Sequence, residues 1–326
     1  MVGIFKANNP INHFVLLLYG LALKFPAFLN PVVPVPEEMD GFLYRLLLRW
    51  LSAPGSGFPL LYSIISFLLV YQQAIALNSI VNKHKLTQRP SYLTGMAYLL
   101  ITSLFSEWEI LSSPTIVNTL MIWVLGQMCT IHNSTKPKTI LFNIGMAIGL
   151  ASFFYFPTVV FYLLVMLGIF ITRPFALPEW LVVLLGGITP YYFFISWIYL
   201  SGRWNKFELP VISVSRPYFF QTTLSYIAIA LILITVVIGI YFIQANLRRQ
   251  LVHTRKNWSL ILVYLPVAFF VPFININDRV DYWVLVAVPV AIIAGAAFLY
   301  PTRKLFPVAM HWAMVALVII MGYFIA

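Results

Sequence analysis

A chain of 326 residues that is 61% hydrophobic and 9% charged, with a mean hydropathy of +0.91, is not a water-soluble domain. Soluble domains carry about 25% charged residues, so lipid is the main solvent here and the expected fold is all-α, a polytopic transmembrane helix bundle. The net charge of +11 does not mark a nucleic-acid binder, because the basic residues sit in short loops between apolar runs. The single cysteine, Cys129, excludes an internal disulfide and a thiolate metal site.

The first apolar run covers residues 11–29, long enough to cross a bilayer. It holds Lys24 and has no small-x-small cleavage site, so it reads as an anchor and not a removed signal. The stretch "NPVVPVPEEMDGFLYRLLLRW" follows and opens the first extracytoplasmic loop, residues 30–57. It contains Glu37, Glu38 and Asp40, a third of the nine acids in the chain. Leu43, Leu46, Leu47, Trp50 and Leu51 then recur at helical spacing, with Arg45 and Arg49 four apart on another face. This predicts a helix lying at the membrane interface. Asp40 stands where a helix dipole favours a negative charge. The two arginines read either as snorkelling cations or as ligands for a phosphate.

Further candidate spans fall at 58–81, 91–105, 114–131, 139–156, 158–171, 181–200, 222–244, 259–273, 283–299 and 306–324. That makes eleven in one membrane domain, 1–326, or nine if the fifth and sixth, separated only by "FPT", form a re-entrant hairpin. With the N-terminus inside, thirteen of the twenty basic residues fall on the inner side, six on the outer side, and Lys24 within a span. The positive-inside rule therefore predicts N-in and C-out. On the same layout eight of the nine acids lie outside and Glu179 alone inside.

The second outer loop, "LFSEWEILSSPT", places Glu107 and Glu109 on either side of Trp108, a natural interface anchor. Gln72, Gln73, Asn78, Asn118 and Asn143 lie within apolar runs and read as hydrogen-bond partners between helices. "LGGITPYYFF" reads as a kink or a close helix contact. Residues 201–221 form a long outer loop with three basic residues. Near the C-terminus, "ININDRVDYWVLVAVPVAIIAGAAF" sets Asp278, Arg279 and Asp281 at the mouth of the tenth span. Arg279 reads as one member of a local ion pair or as a grip on a phosphate. Histidines are scattered without zinc spacing, and no phosphate-binding glycine loop is present.

This layout of acids resembles the C-type-fold integral membrane glycosyltransferases, which take a sugar from a polyprenyl-phosphate carrier at the outer face. In that family an acidic motif follows the first span, matched by Glu37, Glu38 and Asp40 with Tyr44 behind them. A second acidic site matches Glu107 and Glu109, and a late arginine before a Leu-, Pro- and Ala-rich span matches Arg279. Here Glu-Glu-x-Asp replaces the usual Asp-Glu pair, and Val280 and Asp281 follow the arginine. The chain also resembles a group of Bacteroidota polytopic inner-membrane proteins to which no activity is attached. The resemblance implies a multi-pass protein of the bacterial inner membrane. Glu37, Glu38, Asp40, Glu107 and Glu109 would do the chemistry, with Asp40 or Glu38 as base and Glu107 or Glu109 as electrostatic or metal-binding partner, and Lys24, Arg45, Arg49 and Arg279 would hold the lipid phosphate, Arg279 as its clamp. Membrane lipid and a polyprenyl-phosphate-linked sugar are the expected partners, with no nucleic acid. Clustered carboxylates also suit a hard divalent cation, Mg or Mn. The other function class that fits is a non-enzymatic scaffold, or a subunit of a transport or secretion complex, with the charged outer loops as docking surfaces.

Overall fold

A computed structural model describes residues 1–55, 57–202, 222–274, 280–301 and 305–324. The helices in chain order are α1 (Val2–Lys6), α2 (Asn12–Leu23), α3 (Phe25–Leu29), α4 (Phe42–Gly55), α5 (Leu60–Lys83), α6 (Leu93–Thr102) and α7 (Ser113–Met128). They continue with α8 (Pro137–Ser152), α9 (Phe161–Thr172), α10 (Leu177–Leu200), α11 (Thr223–Leu247), α12 (Val252–Phe270), α13 (Ala287–Leu299) and α14 (Leu305–Phe324). Among the described residues there is no strand, only an isolated antiparallel bridge between Asp40 and Tyr155. Arg279, Asp278 and nearly all of the 201–221 loop lie outside the described residues.

Every apolar run of the sequence is helical, as a backbone facing hydrocarbon requires. Among the described residues six helices are long and apolar enough to cross a membrane: Leu60–Lys83, Leu177–Leu200, Thr223–Leu247, Val252–Phe273, Asp281–Leu299 and Leu305–Gly322. The remaining runs give shorter helices. The first is cut at Lys24, ahead of Pro26, into α2 and α3. The third gives only the ten residues of α6, about 15 Å of rise against a hydrocarbon core of about 30 Å. All ten are buried, so the hydrophobicity of α6 reflects a place in the protein core and not contact with lipid. Among the described residues six helices therefore reach crossing length, and the other predicted spans are met by shorter apolar helices.

The loops nevertheless sort as the alternation predicts. At one end, which carries the acids, the 37–45, 107–113, 153–156 and 280–282 segments touch one another. Tyr44 Oη donates to the Leu111 carbonyl at 2.8 Å, and Trp108 Nε1 donates to the Val280 carbonyl at 3.0 Å. At the opposite, basic end, Trp258 Nε1 donates to the Leu86 carbonyl at 2.8 Å and Lys256 Nζ to the Thr172 carbonyl at 2.7 Å. There Arg173 also pairs with Glu179 at 3.2 Å.

Small residues and amides lock the bundle. Gly145 of α8 and Gly186 of α10 face each other's helix backbone so closely that a Cβ on either would strike a carbonyl, of Val183 and Phe142 respectively. The Leu-Gly-Gly stretch is thus a close helix contact. Gln73 donates to the Thr115 carbonyl at 2.7 Å and accepts from Tyr98 Oη at 2.7 Å. Asn118 donates to the Val284 carbonyl at 2.9 Å, and Asn78 accepts from the Gly95 amide at 3.3 Å. Three of the five intramembrane amides named above therefore join helices.

Helix α4 packs on the protein through a stripe beside its leucine face, which the sequence assigns to the membrane interface. Tyr44 and Leu48 are its buried side chains, packed with Tyr62 and Leu111, whereas Trp50 is 72% exposed and Leu43, Leu46 and Leu47 are partly covered. The leucine stripe lies beside the contact stripe because Tyr44, amphipathic by chemistry, has a carbonyl to bind inside the protein.

Candidate functional site

The acidic turn is built by its own backbone. The Asp40 amide donates to the Glu37 carbonyl at 3.2 Å, and the Asp40 Oδ2 accepts from the Glu37 amide at 2.9 Å. The Asp40 Oδ1 accepts from the Ser113 hydroxyl at the start of α7. Arg45, one turn into α4, donates through Nε to the Asp40 carbonyl at 3.0 Å. Its Nη2 donates to the Glu37 and Glu38 carbonyls at 2.7 and 3.0 Å. The guanidinium remains exposed, fastened beside the turn.

The turn is tied to the break between α8 and α9. Gly41 N–H donates to the Phe154 carbonyl at 2.8 Å, and Leu43 N–H to the Phe153 carbonyl at 2.9 Å. A Cβ at position 41 would collide with the Phe153 carbonyl, so only glycine permits this approach. The short "FPT" interruption thus receives the first loop. Tyr155 at that break is fully buried and stacks on Tyr282, with centroids 4.9 Å apart and planes 10° apart. Tyr282 Oη donates to Glu37 Oε2 at 2.6 Å.

A cleft of about 10 Å³ results, room for about one water. It is lined by Glu37, Asp40, Tyr44, Ser113, Asp281 and Tyr282 among others. Ile110 and Leu111 belong to this cleft and also to a larger, mostly apolar hollow of about 260 Å³. The hollow lies among Leu23, Pro26 and Ala27 at the end of the first run, Ser63 of α5, and Val318, Met321 and Gly322 of α14. Among the described residues its charged lining is Glu107 and Glu109.

Lys24 is 3% exposed and turned into the protein. Its Nζ donates to the Thr102 carbonyl at 2.9 Å and pairs with Glu109 Oε1 at 3.7 Å. Burial pushes the Glu109 carboxyl up, to about 7, and the charge and hydrogen bonding of Lys24 pull against that rise. Glu107 is half-buried and accepts from the Ser106 hydroxyl at 3.2 Å.

The predicted site residues are therefore divided. Glu37 and Asp40 share the cleft with Asp281, while Glu107 and Glu109 line the adjoining hollow. Glu38 and Arg49 are exposed and line neither space, Arg45 braces the turn, and Lys24 sits behind Glu109. Among the described residues no group of three or more His, Cys, Asp or Glu is placed to hold a metal ion. Ser113, Tyr155 and Tyr282 escaped the sequence reading. Tyr282 follows Asp281 directly and Ser113 opens a span, so both carried a weak signal. Tyr155 had none, because its partners are 115 and more positions away.

Residues 46–325 match a family described as a family of unknown function, DUF6427. The match begins after the acidic turn and includes Glu107, Glu109 and Asp281. No curated protein and no solved structure matches the chain.

Proposed function

The chain belongs to the DUF6427 family, and we propose that it is an integral membrane glycosyltransferase moving a sugar from a polyprenyl-phosphate carrier to an acceptor. The acidic end is taken as the extracytoplasmic face of a bacterial inner membrane. One arrangement carries the reading. Glu37 and Asp40 meet Asp281 and Tyr282, some 245 positions away, in a single cleft, with the Arg45 guanidinium fastened beside it.

Glu37 is the base in this reading. Its carboxylate lines the cleft, is half-buried, and is oriented by the Tyr282 hydroxyl. It takes the acceptor's hydroxyl proton as the acceptor oxygen bonds to the sugar carbon. The bond from that carbon to the carrier phosphate breaks, and its electron pair leaves on the phosphate oxygen. Asp40 positions Glu37 through the Glu37 amide. Arg49, exposed on α4, receives the phosphate as a planar donor that suits it, joined by Nη1 of the exposed Arg45, whose Nε and Nη2 already hold the turn. Arg279 is the further candidate for that grip. Glu38, Glu107 and Glu109 act by charge alone, favouring positive charge at the sugar carbon.

The test uses the full chain in lipid nanodiscs with a panel of polyprenyl-phosphate sugars, following release of polyprenyl phosphate. Glu37→Gln is expected to lower turnover by about 10²–10⁴-fold, the usual contribution of a general base, without loss of folded protein. Turnover of Glu37→Gln equal to wild type refutes the assignment. Recovery in fixed ratio with protein partners, and without carrier lipid, would favour the scaffold reading instead.

A further inference from the structure

The hollow beside Glu107 is not explained by that chemistry. Its walls come from the end of the first apolar run and from α14, through Leu23, Pro26, Val318 and Met321. Such walls suit an amphiphile and not a free ion. At about 260 Å³ the space holds a headgroup and the first carbons behind it, not a whole lipid.

Charge narrows the choice. Among the described residues the two charged side chains of the lining are both acids, Glu107 and Glu109. Lys24 offsets Glu109 from behind, at 3.7 Å, and is itself held by the Thr102 carbonyl. Glu107 is answered by the Ser106 hydroxyl, which brings hydrogen bonding but no charge. Among the described residues no cation pairs with it. Over the described residues the hollow is therefore net negative, which repels a bare phosphate and attracts one cation.

The geometry points to a lipid site: the hollow takes the primary-ammonium headgroup of a phosphatidylethanolamine from the surrounding leaflet, with Glu107 as its counter-ion. A primary ammonium brings three N–H donors. Glu107, Glu109 and Asn30, residues of the lining, carry carboxylate and amide oxygens that can accept from them. A quaternary choline brings the charge without a donor, and a phosphatidylglycerol brings only negative charge. This inference does not rest on the transferase reading.

Native mass spectrometry of the full chain, released from micelles holding equal amounts of the ethanolamine, choline and glycerol phospholipids of one acyl composition, tests it. The ethanolamine adduct is expected to exceed the glycerol adduct by roughly two- to fivefold, the range of a partly exposed ion pair. Glu107→Gln should level the two. Met321→Trp, which fills the hollow from α14 without touching its charge, should remove the same preference. Equal adducts for wild type overturn the site, as does a preference that survives both Glu107→Gln and Met321→Trp in folded protein.

Discussion

Replacing Lys24 by methionine removes one charge from a pair that is almost wholly buried, the side chains of Lys24 and Glu109 being 4% and 9% exposed. Glu109 is then left as a carboxylate without its cation, a loss that typically costs about 3–5 kcal/mol. The cost depends on pH. A carboxyl whose folded pKa lies above its reference of 4.5 takes up a proton on folding. Both proteins carry that burial penalty equally up to the folded value of about 7, because Glu109 is protonated in each, so the deficit due to lost charge is absent at low pH and opens as pH rises through about 7. Without Lys24 the folded value rises further, so the window extends upward. At pH 8.5 the Lys24→Met protein should lose about 3–5 kcal/mol. At pH 5 Glu109 is protonated, and what remains is the unpaired Thr102 carbonyl, about 1–3 kcal/mol. Lys24→Met/Glu109→Leu should recover most of the loss at pH 8.5, because an apolar pair of similar volume often replaces a buried ion pair at little or no cost. Tryptophan-fluorescence unfolding midpoints in nanodiscs between pH 5 and 9 give the answer. A Lys24→Met deficit that is the same at both ends, or a double variant no better than the single, refutes the reasoning.

Gly145→Val drives a side chain into the Val183 carbonyl and should cost at least about 1–3 kcal/mol by thermal midpoint. Gly57→Ala, with open space around it, should stay within about 0.5 kcal/mol. Asn118→Leu strands the Val284 carbonyl between α7 and the start of the penultimate span, and is expected to cost about 1–3 kcal/mol. Asp40→Ala and Ser113→Ala remove one shared hydrogen bond, so a double-mutant cycle should show a coupling of about 0.5–3 kcal/mol. Additive effects would mean that the turn is not held from α7.

Hydrophobicity along the chain settled the class of fold before any coordinates, because each apolar run facing lipid has to close its own backbone hydrogen bonds. The alternation of acidic and basic loops set Trp108 and Val280 at one end and Trp258 and Leu86 at the other, and a hydrogen bond joins each pair. Composition cannot tell a helix bathed in lipid from one wrapped in protein, since both are apolar. That is why α6, ten residues long and buried throughout, read as a span. Tertiary structure alone divided the acids. Whether Glu109 faces Lys24 or Asp40 depends on the path of the 109–113 segment, fixed by Ser66 on the Glu109 carbonyl, Tyr44 on the Leu111 carbonyl and Ser113 on Asp40. Those contacts join residues between 43 and 73 positions apart, and a separation of that size leaves no periodicity in the sequence.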